Sequence, residues 1–371
     1  MHRMVGVTLS SLLVLGLVAA GTSQALGRRT GTAAPPSQTT ALPEPVTVTA
    51  LIGTEKRNYF TSALVQRRLA ELGFVLEIDT AASRDMATSR DLKNYDFAFP
   101  SSAPVAEKII RATKPAGVSS PFYSPIAVAT FRPIADALWP IGVARSNING
   151  YLSFEVDRYL ELVRKNTRWD QLPRNFSYPA RKAVLVSTND VRSSGAAAMY
   201  LAITSYVANG NKVVSNAKEV SAVMPTMEQL FLGQGYAESW SESSFDDYLA
   251  QGVGKTPMLL IYESQYLELV QRRDGSIAQD MVLMYPTPDV LSKHTAIGLT
   301  EDGARLGAVL RDDPQLQRLA AEYGFRTNDP AVFKEVFAGS GMSPPTELSQ
   351  VIDPPRYEVL ESLVTRLAER Y

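Results

Sequence analysis

Hydroxyl side chains stand at a point where an apolar, strand-like run meets a predicted helix. Residues 95–99 form the run, Ser101 and Ser102 follow it, and residues 103–114 have the pattern of a helix. Serine caps helices because its hydroxyl accepts the free N–H groups of the first turn. The same N–H groups carry partial positive charge and can hold a small polar or anionic ligand. Ser101 and Ser102 are therefore candidates for capping and for ligand binding.

A second segment repeats this arrangement further along the chain. Residues 183–187 predict a buried strand, and residues 193–207 predict a helix. In open α/β sheets, ligands bind just beyond the carboxyl ends of the strands. Two such loops in one chain predict a cleft between two lobes, with plain helix capping as the alternative. The polar candidates around this second junction are Thr188, Asn189, Ser193 and Ser194.

Composition excludes several classes of function. The 371 residues contain 37 Lys and Arg against 38 Asp and Glu, which gives a net charge of -1 and no basic field for nucleic acid. The chain has no cysteine, so disulfides, thiolate metal sites and a cysteine nucleophile are excluded. His2 and His294 are the two histidines, and His2 lies in the leader described next. We expect no catalytic centre, no metal site and no cofactor.

The first 45 residues predict export. Residues 1–25 have a short basic start, a nearly continuous apolar run and a small-x-small cleavage pattern, as a signal peptide has. Arg28 and Arg29 could instead hold an uncleaved segment as a membrane anchor. Residues 26–45 are rich in Pro and Thr and predict a disordered tether. Either outcome places the folded part outside the cytoplasm, secreted or tethered to the outer face of the cytoplasmic membrane.

The folded part has the element order of an α/β protein. Residues 46–52, 74–79 and 95–99 predict strands that alternate with helices, so a mainly parallel sheet flanked by helices is expected. Two long extended segments, 118–131 and 281–299, would cross between two such lobes. The predicted first lobe comprises residues 46–125 and 290–371, and the second comprises residues 126–289.

This order resembles the type II periplasmic (extracellular) solute-binding proteins, which have two lobes. The stretches 95–103, 121–131 and 184–201 carry the resemblance, together with a C-terminal helix pair that ends in Tyr323-Gly324-Phe325. That pair looks like the one in molybdate-type binding proteins. The resemblance covers most of residues 46–325, and it extends to actinobacterial exported substrate-binding-domain proteins. It implies a fold but does not identify a ligand.

The resemblance also implies where a ligand would bind. In that family, hydroxyls and backbone N–H groups at strand ends hold the ligand between the lobes. Asp190 and Glu263 depart from a pure oxyanion pocket, because a carboxylate that faces an anion must be protonated or paired. Lys56, Arg84 or Arg192 could compensate, and a zwitterion, sugar or cationic metabolite remains open. The matching positions are Thr54, Ser101, Ser102, Ser124, Thr188, Asn189, Ser193, Ser194, Tyr262, Glu263 and Gln265.

Two short motifs invite other interpretations that their context rejects. Residues 252–256 read Gly-Val-Gly-Lys-Thr, but a P-loop needs a glycine where Leu249 stands, and needs a strand before it and a helix after it. Ser215 and Lys218 match the Ser-x-x-Lys of penicillin-recognising enzymes, whose Ser-Asp-Asn and Lys-Thr-Gly partners are missing. We interpret residues 215–218 as a surface turn.

The leading hypothesis is an exported solute-binding protein without catalytic activity. Its two lobes would close on a small polar ligand, an oxyanion among the candidates, by a hinge at the crossing strands. We expect a monomer that delivers its ligand to the membrane subunit of a transporter or to a sensor. Two rivals are a membrane-tethered envelope scaffold that binds a protein with the same fold, and an enzyme on that fold.

Overall fold

The computed structural model describes residues 45–147, 150–235, 241–342, 344–348 and 350–371. The predicted leader, and the predicted tether apart from Pro45, lie outside these residues. In the described ranges, no helix combines the length and the apolar character needed to cross a membrane.

The strands of the described residues include those predicted at 46–52, 74–79, 95–99, 118–131 and within 281–299, and several more that the sequence did not predict. They are β1 (Val46–Gly53), β2 (Phe74–Ala81), β3 (Phe97–Phe99), β4 (Gly117–Phe131), β5 (Ala144–Ser146), β6 (Leu152–Glu155), β7 (Met258–Tyr262), β8 (Met281–Thr287), β9 (Asp289–Gly298), β10 (Arg326–Thr327) and β11 (Val351–Ile352).

The helices surround these strands. They are α1 (Arg57–Thr61), α2 (Ala63–Glu71), α3 (Ser83–Thr88), α4 (Ala103–Thr113), α5 (Arg132–Leu138), α6 (Val156–Arg164), α7 (Gly195–Ala208), α8 (Ala217–Leu232), α9 (Ser241–Gln251), α10 (Glu263–Arg272), α11 (Glu301–Asp312), α12 (Pro314–Glu322), α13 (Pro330–Phe337) and α14 (Tyr357–Ala368). Residues 215–218, interpreted as a surface turn, contain the start of α8, which Asn216 caps through its side chain.

The sheet is parallel at its N-terminal side and antiparallel where the long strands cross. β1 pairs in parallel with β2 and β3, and β6 pairs in parallel with β8. β4 pairs antiparallel with β9 through residues 117–125, and with β7 and β8 through residues 126–131. One strand thus joins two groups of strands, which confirms the two-lobed α/β fold class.

The predicted strand at residues 183–187 forms only isolated bridges, at Ala183 and Ser187. Val184 and Val186 are buried, which explains the strand-like pattern. However, the Val186 N–H donates to the Tyr159 hydroxyl at 2.9 Å instead of to a strand carbonyl. Because a side chain takes this backbone donor, no continuous ladder forms.

The apolar core divides in the same way as the sheet. One cluster centres on β4 residues 126–131, β7 and β8, and two others lie around β1, β3 and the start of α4. Helix α14 contacts both parts, because its Tyr357 packs with α4 while Leu363 and Leu367 pack with the cluster around β7. Residues 43–371 consequently form one compact unit.

Candidate functional site

Ser101 and Ser102 lie between the end of β3 and the start of α4, as predicted. Both side chains are buried, with 1% of each residue exposed. Ser102 is the N-cap residue of α4 but makes no side-chain capping bond, and Pro104 in the first turn lacks an N–H group. The Ser102 Oγ has no hydrogen-bond partner among the described residues. Capping therefore does not account for this hydroxyl.

Ser101 is the centre of a buried hydroxyl network, named here the Ser101 cluster, which consists of Ser83, Ser101, Tyr262 and Ser292. The Ser101 Oγ lies 2.7 Å from Ser83 Oγ and 3.0 Å from Tyr262 Oη. The Ser101 N–H donates to Ser83 Oγ at 3.0 Å, and the Ser101 carbonyl accepts the Ser292 hydroxyl. The cluster therefore joins α3, the end of β3, the end of β7 and β9.

The start of α7 lies directly against this cluster. A Cβ added to Gly195, the first residue of α7, would lie 2.8 Å from Tyr262 Oη, 3.2 Å from Ser101 Oγ and 3.4 Å from Ser83 Oγ. The sequence predicts that these two helix starts face each other, and the structure brings Ser101 and Gly195 together. At this point the two parts are in contact, because a methyl group on Gly195 would lie only 3.2 Å from Ser101 Oγ.

The polar segment before α7 makes most of its hydrogen bonds with residues on the same side of the predicted cleft. Thr188 donates its N–H to Gln234 Oε1 at 2.7 Å and its hydroxyl to the Asn189 carbonyl at 3.0 Å. The Asn189 amide donates to Ser244 Oγ at 2.7 Å. Ser194 caps α7 by accepting the Ala197 N–H at 3.2 Å. For Ser194, capping is therefore the role that the structure shows.

Asp190 is paired with a cation, as a carboxylate that faces an anion would have to be. The Arg192 N–H donates to Asp190 Oδ1 at 2.8 Å, and its guanidinium Nε lies 2.9 Å from both carboxylate oxygens. Burial alone would raise the pKa of Asp190, but the hydrogen bonds from Arg192 outweigh burial and lower that pKa. Arg84 of α3 donates to the Arg192 carbonyl at 2.7 Å, which links this segment to the N-terminal strands.

A buried lysine lies beside the Ser101 cluster. The Lys56 ammonium contacts the Glu55 carboxylate, and it lies 3.4 Å from His294 Nδ1 and 4.8 Å from the centre of the Phe99 ring. Burial lowers the pKa of Lys56, while Glu55 opposes this shift. Burial also lowers the pKa of His294, and the nearby Lys56 lowers it further. The His294 ring lies 5.9 Å from that of Tyr262, so a charged pair and an imidazole adjoin the cluster.

Three other predicted residues have contacts that support local structure. Glu263 accepts both guanidinium hydrogen bonds of Arg326, at 2.6 and 2.7 Å, and the Tyr285 hydroxyl at 2.6 Å. Gln265 accepts the Tyr262 N–H at 3.1 Å at the start of α10. Ser124 accepts the Ser264 N–H at 3.1 Å.

Thr54 lies at the end of β1, where 5% of its surface is exposed. Ser193, next to the N-cap of α7, donates its hydroxyl to the Asp190 carbonyl at 3.3 Å. Thr54 and Ser193 therefore lie near the ends of secondary-structure elements, as predicted. Tyr262 is the predicted residue whose side chain is hydrogen-bonded to Ser101.

Four residues at the site were not predicted from the sequence, namely Ser83, Ser292, Gly195 and Glu55. Ser83 is the first residue of the short helix α3, which the sequence does not predict. Ser292 and His294 are two apart on β9 and both are buried, so they share one face of the strand. That polar pair on the buried face of the strand is the signal that could have identified them.

Comparison with known proteins supports the fold. No family model matches the sequence, and no curated protein is significantly similar to it. A Listeria monocytogenes protein titled as a spermidine/putrescine ABC transporter has a TM-score of 0.57 at 12% identity, covering 88% of this chain and 99% of its own. Iron-bound HitA from Pseudomonas aeruginosa has a TM-score of 0.55 at 11% identity, covering 87% of this chain and 99% of its own.

The periplasmic binding protein AfuA from Actinobacillus pleuropneumoniae, with fructose-6-phosphate bound, has a TM-score of 0.54 at 9% identity and covers 87% of this chain and 96% of its own. At identities this low, the similarity indicates a shared fold and nothing about the ligand. The chain has the two-lobed α/β fold of periplasmic solute-binding proteins.

Proposed function

We propose that this chain is an exported solute-binding protein whose two lobes close around a small polar ligand at the Ser101 cluster. The lobes are residues 46–125 with 290–371, and residues 126–289. One observation carries the proposal: Ser101 of the first lobe meets Tyr262 and Gly195 of the second lobe in a buried, polar contact.

Buried polar atoms without partners support this position for the ligand. Among the described residues, Ser102 Oγ, Ser264 Oγ and His294 Nε2 are buried and make no hydrogen bond. Ser102 follows Ser101 in the chain, Ser264 is two residues from Tyr262, and the His294 ring lies 5.9 Å from the Tyr262 ring. A buried polar group without a partner costs about 1–3 kcal/mol. A ligand that bonded to these atoms after opening and reclosing would recover part of that free energy.

The charges near the cluster favour a ligand that is polar and not strongly charged. Lys56 is paired with Glu55, and Asp190 is paired with Arg192. An anion would have to displace Glu55 from Lys56, whereas a sugar or a zwitterion could use the hydroxyls directly. The hydrogen-bond partners of Ser101 among the described residues are hydroxyl groups, which suits binding without turnover.

The crossing strands provide the hinge of this proposal. β4 and the β8–β9 segment are the strands shared between the two groups, so rotation at them would separate Ser101 from Gly195. Closure on a ligand would give a transporter membrane subunit or a sensor a shape to recognise. The protein would act outside the cytoplasm, as a monomer.

A thermal-shift screen of the full-length protein tests the proposal. A ligand that binds only the folded state raises Tm by mass action, and a concentration of 100 times Kd adds about 2.7 kcal/mol. We expect one member of a panel of oxyanions, amino acids, sugars and polyamines to raise Tm. Ser101→Ala should weaken that shift, and the exposed control Ser120→Ala should keep it.

If no compound in the panel shifts the wild-type Tm, the proposal fails. A membrane-tethered envelope scaffold would then become the better hypothesis.

A further inference from the structure

A second cavity, named here the α10–β8 pocket, lies away from the Ser101 cluster. It has a volume of about 720 Å³ and lies between α10, β8 and residues 340–342, with Gly150, Tyr151 and Leu152 on another side. None of the four residues of the Ser101 cluster lines it. The volume falls within the range of roughly 300–1,000 Å³ that is usual for small-molecule sites.

Two arginines line this pocket. Its described lining residues include Arg132 and Arg273 and no aspartate or glutamate, although the whole chain has a net charge of -1. Arg132 is exposed, and its guanidinium has no hydrogen bond or ion pair with any described residue. Arg273 is also exposed and makes one long hydrogen bond of 3.3 Å, to the Gly339 carbonyl. Both cations are therefore available to an anion.

The floor of the pocket is apolar, although it contains tyrosines. Tyr266 donates its hydroxyl to the Met281 carbonyl at 3.0 Å, and Tyr285 donates its hydroxyl to Glu263 at 2.6 Å. Because both hydroxyls are already hydrogen-bonded, the tyrosine rings present their carbon atoms to the cavity. Tyr266, Tyr285, Met281 and Leu283 are buried, in contrast to the two exposed arginines. The pocket thus combines a cationic rim with an apolar floor.

We propose that the α10–β8 pocket binds a single-chain amphipathic anion, with a carboxylate or similar head group at Arg132 and Arg273 and an apolar chain along the floor. Guanidinium groups bind carboxylates and phosphates through charge-assisted hydrogen bonds. Each buried CH₂ group improves affinity by roughly fourfold. This inference does not depend on the proposed function, because the two sites share no lining residue.

Calorimetric titration of the full-length protein with octanoate, decanoate and dodecanoate, below their micelle concentrations, tests the inference. We expect saturable binding of one molecule per chain, with Kd falling by about fourfold per added CH₂ group. Acetate, which has the head group alone, and decanol, which has the chain alone, should each bind at least tenfold more weakly.

Variants assign the binding to the two arginines. Arg132→Gln with Arg273→Gln should raise Kd by about tenfold, and the same pair changed to Lys should recover most of the affinity. Arg67→Gln, which removes one exposed positive charge on α2, should leave Kd unchanged.

The inference is overturned if decanol binds as well as decanoate, if Kd does not depend on chain length, or if the Gln pair binds like the wild type. Binding only to anionic phospholipid vesicles, and not to the free fatty acids, would also overturn it.

Discussion

Replacing Gly195 with alanine should hold the two lobes apart. The added Cβ would lie 3.2 Å from the Oγ of Ser101 in the first lobe, whereas ordinary contact for a Cβ begins at 3.4 Å. Relief of such a contact costs about 1 kcal/mol. Because Gly195 lies in the second lobe, that cost falls on the closed state alone and reduces the ratio of closed to open molecules by roughly fivefold. The closer approach to Tyr262 Oη, at 2.8 Å, lies within the second lobe and affects both states alike.

Distances between two spin labels measure this shift directly. Because the chain contains no cysteine, cysteines introduced at the exposed positions Arg67 and Lys165 would be the only labelled sites. We expect the wild type to give one dominant distance and Gly195→Ala to give a second population. Gly254→Ala is the matched control, since a Cβ there meets nothing within 4 Å.

A second substitution should restore closure. Ser101→Ala removes the hydroxyl oxygen of the first lobe that the new Cβ would meet, so the double variant with Gly195→Ala should return towards the wild-type distance. In a double-mutant cycle the two changes would therefore not be additive. The reasoning is refuted if Gly195→Ala lowers Tm while the label distances stay those of the wild type, because the contact would then lie inside a rigid body.

The remaining predictions concern stability. Burial raises the pKa of Asp289 well above its usual value, so the folded state holds a proton that the unfolded state loses as pH rises above about 4. Asp289→Asn should therefore match the wild type near pH 4 and exceed it in stability at pH 7, as urea unfolding would show; equal stabilities at both pH values would contradict this. Glu263→Gln should lower the free energy of unfolding by about 3–5 kcal/mol, because it leaves the guanidinium of Arg326 buried and without its counter-charge; a loss below 1 kcal/mol would show that this ion pair does not matter. Arg84→Gln and Glu361→Gln should each cost roughly 1 kcal/mol or less, and the double variant should cost no more than either single one, whereas full additivity would show that the two side chains do not interact.

Most of the fold could be predicted because its strands are short buried runs and its helices have clear stops. Residues 46–52 were predicted from their β-branched pattern and form most of β1. Residues 183–187 have a similar pattern, but a tyrosine hydroxyl from another helix takes a backbone donor there. Helix α10 is not predicted, and the candidate binding residues Glu263 and Gln265 lie in its first turn. Such outcomes depend on tertiary contacts that a local pattern does not contain.

The candidate site was predictable in outline. Ser101 and Tyr262 were both predicted, and they share a hydrogen bond. Glu263, adjacent in sequence, faces a different partner, Arg326, which no local pattern linked to it. Gly195 has no polar side chain, so its importance follows only from how closely the backbone of α7 approaches the cluster. A sequence shows which groups could bind, but the packing of distant segments decides which of them meet.

A crystal structure of the protein with the solute that gives the largest Tm shift would test the central claim most directly. We predict that the solute lies between Ser101 and the start of α7, with hydrogen bonds to the hydroxyls of the Ser101 cluster. The claim is contradicted if Ser101 and Tyr262 remain 3.0 Å apart, as they are here, while the solute occupies another part of the molecule.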